Sequence, residues 1–223
     1  MKAIKIAIDG PSGAGKSTMA KLISKELGIL YLDTGSMYRA VALKAIRNGI
    51  DTLDHKGVSG IMPDIQIAIQ YDNGNQRIML DGEDVTSLIR TNEVSMGASN
   101  VSAFPEVRKR LVELQQEIAR NISVVMDGRD IGTKVLPEAD VKIFLTASAS
   151  DRARRRYEEL LGKGMLDKSF DQVLQEIEKR DHNDSTREFS PLKKADDAIL
   201  LDTTGNSIEG SAQKIMDIIK ERF

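Results

Sequence analysis

The strongest pattern in the sequence is Gly10-Pro11-Ser12-Gly13-Ala14-Gly15-Lys16-Ser17, which matches G-x-x-x-x-G-K-S at every position. Glycines at this spacing allow successive backbone N–H groups to turn towards one anion, and a following helix adds the positive end of its dipole. Lys16 can reach the β- and γ-phosphates of a nucleoside triphosphate, and the Ser17 hydroxyl can ligate Mg²⁺. We therefore expect the residues from Gly10 to Thr18 to bind the triphosphate.

The residues around this loop predict the structure that such a loop needs. Residues 2–8 are short, apolar and β-branched, which indicates a buried strand. Apolar positions then repeat at helical spacing from Lys16 to Leu27, and Gly28 is a typical stop. A second strand at 30–32 and a second helix from Ser36 to Asn48 complete a βαβ unit, which predicts an α/β fold with a parallel sheet.

The hydrophobic period changes to two between Ile65 and Val85. Turn sequences at 72–75 and 81–84 divide this segment into short alternating runs. We therefore predict a small antiparallel meander inserted in the α/β protein. Helices are expected further along at Thr91–Val101, Pro105–Arg120, Ser150–Leu161, Phe170–Asp181 and Ser207–Arg222, and strands at 123–126, 141–146 and 198–201.

Composition excludes several classes of function. The chain has 223 residues and no cysteine, so thiolate metal sites, disulfides and cysteine nucleophiles are excluded. The net charge of −2 gives poor support to a general nucleic-acid binder. No apolar stretch approaches the roughly 20 residues of a membrane-spanning helix. We expect a cytoplasmic enzyme that acts on small molecules, with no nucleic-acid or membrane partner.

Two aspartates are candidates for holding Mg²⁺, directly or through water. Asp127 and Asp33 each close a predicted strand, and ligands bind beyond the carboxyl ends of strands in open α/β sheets. The alternative for either residue is a carboxylate that only caps a turn.

An arginine cluster follows the strand at 141–146. The spacing of Arg152, Arg155 and Arg156 predicts one shared helix face, beside a flexible Gly162-Lys163-Gly164. A charged face of this kind suits a lid that closes over the triphosphate. The alternative is an ordinary solvated helix face.

Seven segments, taken in order, resemble the bacterial cytidylate kinase family over nearly the whole chain. They are Ile8 to Lys16, Leu32 to Arg39, Ile89 to Ser95, Phe104 to Arg108, Asp127 to Thr133, Val141 to Leu145 and Arg180 to Arg187. The resemblance implies a single P-loop kinase domain, 1–223, with a three-layer core around a parallel sheet. Within it lie a nucleotide-monophosphate region at about 34–101, a three-stranded insert at about 63–88 and a short helical lid at about 150–165. It also implies a monomer that uses ATP, Mg²⁺ and CMP or dCMP.

The resemblance further implies the roles of individual residues. Lys16, Arg129, Arg152 and Arg156 would act in catalysis. Arg39 and Arg129 would hold the acceptor phosphate, Arg180, Asp184 and Arg187 would contact the sugar or its neighbours, and Ser99, Arg108 and Asp130 would read cytosine. The full CMP-binding set is Thr34, Tyr38, Arg39, Ser99, Arg108, Arg129, Asp130, Arg180, Asp184 and Arg187.

Cytosine has a donor at N4 and acceptors at N3 and O2, so a carboxylate such as Asp130 and donors such as Arg108 fit its edge. Uracil would place an oxygen against the carboxylate. Three departures stand out from the family pattern, namely Ser17 for glycine, Thr34 for serine and His182-Asn183 for more charged residues.

Other functions remain open at this point. A related P-loop kinase could take UMP, AMP, shikimate or dephospho-coenzyme A as its acceptor. A P-loop regulatory NTPase would need a glutamine that positions water and switch loops, and no such pattern is present.

Overall fold

The computed structural model describes residues 3–223, which form two compact units. The first unit comprises the chain up to Ile29 together with Ser123–Phe223, and the second comprises Leu30–Ile122. The strand predicted for residues 2–8 falls partly outside the described residues, since Lys2 is not among them.

Strands and helices alternate along most of the chain. The strands are β1 (Lys5–Asp9), β2 (Leu30–Asp33), β3 (Ile67–Asp72), β4 (Asn75–Leu80), β5 (Glu83–Asp84), β6 (Val124–Gly128), β7 (Val141–Thr146) and β8 (Ile199–Asp202). The α-helices are α1 (Lys16–Leu27), α2 (Thr34–Arg47), α3 (His55–Ile61), α4 (Asn92–Val101), α5 (Pro105–Ala119), α6 (Ala149–Gly162), α7 (Phe170–Thr186) and α8 (Ile208–Lys220).

The sheet of the first unit carries β6, β1, β7 and β8 in that order, all parallel. In β1, Ile6, Ala7 and Ile8 are all fully buried, as expected for a strand covered on both faces. Asp9 pairs with Gly128, so β1 and β6 end at the same edge of the sheet. The phosphate loop leaves β1 at this edge and leads into α1, which packs against β6 and α8.

Helices α6 and α7 pack on each other through a small apolar cluster of their own. Ala153 of α6 is buried with Val173 and Ile177 of α7, and the rings of Tyr157 and Phe170 meet edge to face at 6.1 Å. A capping box begins α7, because the Ser169 side chain and the Gln172 side chain each bond the other residue's backbone N–H.

The second unit is built around α2, which packs against α3, α4, α5 and β4. Its core includes Met37, Val41, Ile78, Leu80 and Leu111. Strands β3, β4 and β5 form the predicted antiparallel meander. Asn73 and Gly74 connect β3 to β4 with φ of 49° and 77°, the positive values of a tight hairpin turn.

Two α-helices differ most from the sequence predictions. Helix α3 was not predicted, because His55–Ile61 contains two glycines and buries only Val58, which leaves no helical period to detect. Helix α7 extends to Thr186 rather than ending at Asp181. The hydroxyls of Ser185 and Thr186 donate to carbonyl oxygens one turn back, which satisfies polar groups at this exposed end. Among residues 3–223, no helix combines the length and the apolar character that crossing a membrane requires.

Candidate functional site

The phosphate loop has the backbone that its glycines predict. Gly10, Gly13 and Gly15 have φ of 148°, 75° and 88°, backbone angles that residues other than glycine rarely adopt. At Gly10 a Cβ atom would lie 1.9 Å from the carbonyl oxygen of Leu145, so only glycine fits between the loop and β7. The structure therefore confirms the backbone conformation predicted for the loop between β1 and α1.

Lys16 is the first residue of α1 and is buried within the loop that precedes it. Its Nζ donates to the carbonyl oxygen of Pro11 at 2.7 Å. Burial, reinforced by the nearby charge of Arg129, lowers the pKa of Lys16 to about 7. The ammonium group is thus held where an additional anion would stabilise its charged form.

Ser17 and Asp127, two of the three residues predicted to hold Mg²⁺, contact each other directly. The Ser17 hydroxyl, in the first turn of α1, donates to Oδ2 of Asp127 in β6 at 2.8 Å. A hydroxyl and a carboxylate are hard oxygen donors, the chemistry that Mg²⁺ prefers, and Mg²⁺ usually takes few protein ligands because it keeps water and substrate phosphate. Within the described part of the chain, no group of three or more acidic or histidine side chains could hold a metal by itself.

Arg129, Asp184 and Arg187 form a network just after β6. Arg129 Nε donates to Asp184 Oδ2 at 2.7 Å, and Arg187 Nη1 lies 3.7 Å from Asp184 Oδ1. Burial raises the pKa of Asp184, but the charges of Arg129, Arg180 and Arg187 outweigh it and lower the pKa below its ordinary value. The structure therefore brings together four of the predicted CMP-binding residues and keeps their one carboxylate ionised.

Arg152 connects α6 with the phosphate loop and with α7. Its Nε donates to the carbonyl oxygen of Ala147 at 2.8 Å, and its Nη1 donates to Ser12 O at 3.0 Å and to Asp181 Oδ2 at 2.5 Å. Asp181 Oδ1 in turn accepts from the backbone N–H of Ser12 at 3.3 Å. Arg152 and Asp181 therefore hold both backbone polar groups of one loop residue.

Arg152, Arg155 and Arg156 all lie on α6 at the predicted spacing, but their guanidinium groups bond to three different partners. Arg152 is buried, Arg155 donates to the carbonyl oxygen of Thr203 at 2.8 Å, and Arg156 pairs with Glu159 at 3.0 Å. Helical spacing brings the Cβ atoms of such residues together, but each long side chain then follows its nearest acceptor. Arg155 Nη1 lies 4.0 Å from where a Cβ on Gly15 would be, so it is beside the loop, whereas Arg156 is engaged with its own helix.

Asp9 has a role that the sequence did not suggest. Its carboxylate accepts from the backbone N–H groups of Ile131 and Gly132 at 2.8 and 2.7 Å. These bonds tie β1 to the π-helical turn Ile131–Val135, directly after Asp130. Burial raises the pKa of Asp9 to about 6, although the two backbone bonds oppose that rise.

In the second unit, Asp33 organises the start of α2. Its Oδ1 accepts from the N–H of Ser36 at 3.0 Å, and its Oδ2 accepts from Arg39 at 2.7 Å and from Arg90 at 3.5 Å. Burial raises the pKa of Asp33, but the charges of Arg39 and Arg90 outweigh it and lower the pKa. Both carboxylate oxygens thus have partners within the second unit, and the role of Asp33 in holding Mg²⁺ stays a prediction. The neighbouring Thr34 is buried at the first position of α2.

The residues expected to read cytosine have contacts or are buried within their own unit. In the second unit, the guanidinium of Arg108 lies over the ring of Tyr38 at 5.4 Å and donates to the carbonyl oxygen of Ser102 at 3.0 Å. The Ser102 hydroxyl donates to the carbonyl oxygen of Ser99, so Ser102 connects Arg108 with Ser99. Asp130 is buried in the first unit, at the residue before the turn that Asp9 holds.

A glycine loop between a parallel strand and a helix, with Lys16, Ser17 and Asp127 arranged around it, defines a P-loop nucleotide-binding protein of the α/β class. The family model described as Cytidylate kinase matches residues 6–221. The chain belongs to the cytidylate kinase family, and it is a kinase.

Known proteins agree with this assignment. A cytidylate kinase of Caldicellulosiruptor bescii is 55% identical over 98% of this chain and 96% of its own length. A cytidylate kinase of Carboxydothermus hydrogenoformans is 53% identical over 97% of each chain. Among solved structures, an uncharacterized protein from Eubacterium ventriosum aligns over 99% of both chains with a TM-score of 0.53 and 13% identity, which is a likeness of fold alone.

Proposed function

We propose that the chain transfers the γ-phosphoryl group of ATP to CMP or dCMP, giving ADP and CDP or dCDP. The observation that carries this proposal is the match to cytidylate kinases at 53–55% identity over nearly the full chain. The phosphate loop supplies the donor half of the reaction, and the arginines that pair with buried carboxylates supply cationic groups for a second anionic substrate.

No general base is required for this reaction. The acceptor oxygen belongs to a phosphate that is already anionic near neutral pH, so catalysis depends on alignment and on neutralising charge. We assign Lys16 and the lid arginines Arg152 and Arg156 to the transferring phosphoryl group, and add Arg155 because it lies beside Gly15. Arg39 and Arg129 are assigned to the acceptor phosphate, where each would reduce repulsion between two polyanions.

Ser17 and Asp127 are the residues that fit Mg²⁺, because their oxygens lie 2.8 Å apart beside the phosphate loop. The ion, when bound with ATP, would neutralise charge on the phosphates. Asp33 fits a different role, that of holding Arg39 and Arg90, since its Oδ2 already accepts from both of them.

For the base, Asp130 is assigned to accept from N4 of cytosine, and Arg108 and Ser99 to donate to N3 and O2. Arg180, Asp184 and Arg187 are assigned to the sugar or to groups that orient it, and Thr34 and Tyr38 to the same acceptor site. A site built from such groups rejects a mismatched base strongly, because its polar groups are left unpaired. We further propose that the enzyme acts as a monomer in the cytoplasm, which light scattering and cell fractionation would test.

The test is an ADP-release assay with ATP, Mg²⁺ and a panel of nucleoside monophosphates. We expect CMP and dCMP to be used in preference to UMP, AMP and GMP. A preference for UMP or AMP would overturn the assignment of the base-reading residues. Release of ADP with no dependence on any acceptor would indicate an NTPase instead.

A further inference from the structure

Two facing residues of the three-stranded insert, Tyr71 and Gln76, bond to β2 and to the start of α2. Tyr71 of β3 and Gln76 of β4 lie directly opposite each other in the antiparallel register. Their side chains therefore leave the same face of the insert. The Tyr71 hydroxyl donates to the carbonyl oxygen of Tyr31 at 2.9 Å, and Gln76 reaches Asp33, two residues further along β2.

Gln76 uses both ends of its amide. Its Oε1 accepts from the backbone N–H of Asp33 at 2.7 Å, and its Nε2 donates to the Ser36 hydroxyl at 2.9 Å and to the carbonyl oxygen of Asp33 at 3.3 Å. Backbone polar groups of a buried residue need such partners, because a buried group left unpaired loses its bonds to water without replacement. The side chain of Gln76 thus fixes the peptide groups on both sides of Asp33.

Asp33 transmits that constraint to the arginines. With its backbone fixed, its carboxylate caps α2 at the N–H of Ser36 and accepts from Arg39 at 2.7 Å and Arg90 at 3.5 Å. Arg39 is largely buried, and this ion pair is the contact that orients its guanidinium. A rotation of the Asp33 backbone would move the carboxylate and the arginines together.

We propose that the insert acts as a brace for the acceptor-phosphate arginine, and that Gln76 is the positioning residue that transmits its support through Asp33 to Arg39. This inference rests on the proposed function, in which Arg39 binds the phosphate of CMP. It gives the three-stranded insert a role in binding the acceptor phosphate. Gln76 itself contacts neither substrate in this role.

The variant Gln76→Ala removes the brace without touching a proposed binding residue. We expect its KM for CMP to rise about 5- to 20-fold, which lies within the coupling found between members of one hydrogen-bond network. The KM for ATP should stay within about two-fold of the wild-type value, because the altered network does not include the phosphate loop. The affinity for cytidine, which lacks the phosphate, should also be unchanged, whereas general loosening of the acceptor site would weaken cytidine and CMP alike.

Arg77→Ala is the matched control. Arg77 is the next residue on β4, and its exposed guanidinium pairs with Asp72 and Asp84 within the insert. Its loss should leave the KM for CMP within about two-fold of wild type, since exposed ion pairs contribute little. If Gln76→Ala is not folded by circular dichroism, Gln76→Met, which keeps the volume and removes the hydrogen bonds, is measured in its place.

A double-mutant cycle with Arg39→Ala gives the decisive comparison. If Gln76 acts through Arg39, its substitution should change the KM for CMP less than about two-fold once Arg39 is absent. An equal effect in both backgrounds, or no effect on the wild-type background, would overturn the proposal. Failure of the proposed function is separately visible, because wild-type enzyme would then not turn over CMP.

Discussion

The guanidinium of Arg152 donates to the carbonyl oxygen of Ser12, 140 residues earlier in the chain, and so ties helix α6 to the phosphate loop. The same guanidinium pairs with Asp181 of α7, which accepts from the N–H of Ser12. The backbone N–H and the carbonyl oxygen of Ser12 are therefore both hydrogen-bonded to these two side chains. Helices α6 and α7 are coupled to the phosphate loop through these contacts.

The first prediction concerns this coupling. Arg152→Ala should lower kcat/KM for ATP by about 10- to 100-fold, because it removes a charge near the phosphates and releases the carbonyl oxygen of Ser12 from α6. Steady-state kinetics at varied ATP and saturating CMP measures the change. Arg154→Ala is the matched control, since Arg154 is exposed on the same helix and should leave the rate within about two-fold of wild type. Equal losses in both variants would contradict the assignment.

The second prediction concerns Arg129. Arg129→Ala should raise the KM for CMP and lower kcat, because the acceptor phosphate loses a cation. The variant should also lose about 1.5–3 kcal/mol of unfolding free energy, the usual contribution of a hydrogen bond between charged groups, because Asp184 loses its bond to Arg129 and keeps Arg187 nearby. Urea denaturation measures the stability. Arg129→Ala with Asp184→Asn should regain part of it but not the activity. Unchanged kinetics in the single variant would remove Arg129 from the mechanism.

The third prediction separates Asp127, which we propose for Mg²⁺, from Asp33, which the sequence also suggested. Asp127→Asn should raise the Mg²⁺ concentration for half-maximal activity about 10-fold or more, the loss expected for a residue that orients the ion or its water. Asp33→Asn should leave that concentration nearly unchanged and raise the KM for CMP, because Asp33 holds Arg39. Titrations of activity against Mg²⁺ at fixed ATP distinguish them. The reverse pattern would show that Asp33 is the metal residue.

The fourth prediction concerns pH and Asp9. Its pKa of about 6 lies above the ordinary 3.8, so the folded state keeps this proton over a range where the unfolded state has lost it. Stability must then fall as pH rises from about 4 to 6 and stay lower above that range. The difference in unfolding free energy between wild type and Asp9→Asn should therefore fall by up to about 3 kcal/mol between about pH 4 and pH 6. Chemical denaturation at several pH values measures the difference. A difference that is flat, or that grows with pH, would show that burial does not raise this pKa.

Features that depend on neighbouring residues were predictable from the sequence. The phosphate loop, α1 and β7 lie where pattern and turn signals place them, because each is specified by a local period or by glycines in succession. The meander was equally clear, since alternation and an Asn-Gly turn specify a hairpin locally. Helix α3 escaped detection because it buries one side chain.

The partners of charged side chains could not be predicted in the same way. Arg152, Arg155 and Arg156 occupy adjacent turns of one helix, yet they bond to the loop, to Thr203 and to Glu159. Which acceptor each takes depends on what the fold brings within reach of a long side chain. Gln76 carries no sequence signal at all, and its role is visible only in its bonds to Asp33 and Ser36.

The sequence by itself determined that this chain is an α/β protein with a triphosphate loop, and its ordered motifs indicated a cytidylate kinase. Such features are written in consecutive residues, because backbone conformation and hydrophobic period are local properties. Only the tertiary structure decided that Asp33 serves two arginines, that Asp127 meets Ser17 and that Arg152 holds Ser12. Apart from Asp33 with Arg39, these pairings join residues that are far apart in the chain. The buried members, such as Asp33, Asp127 and Arg152, need polar partners once the fold has removed them from water.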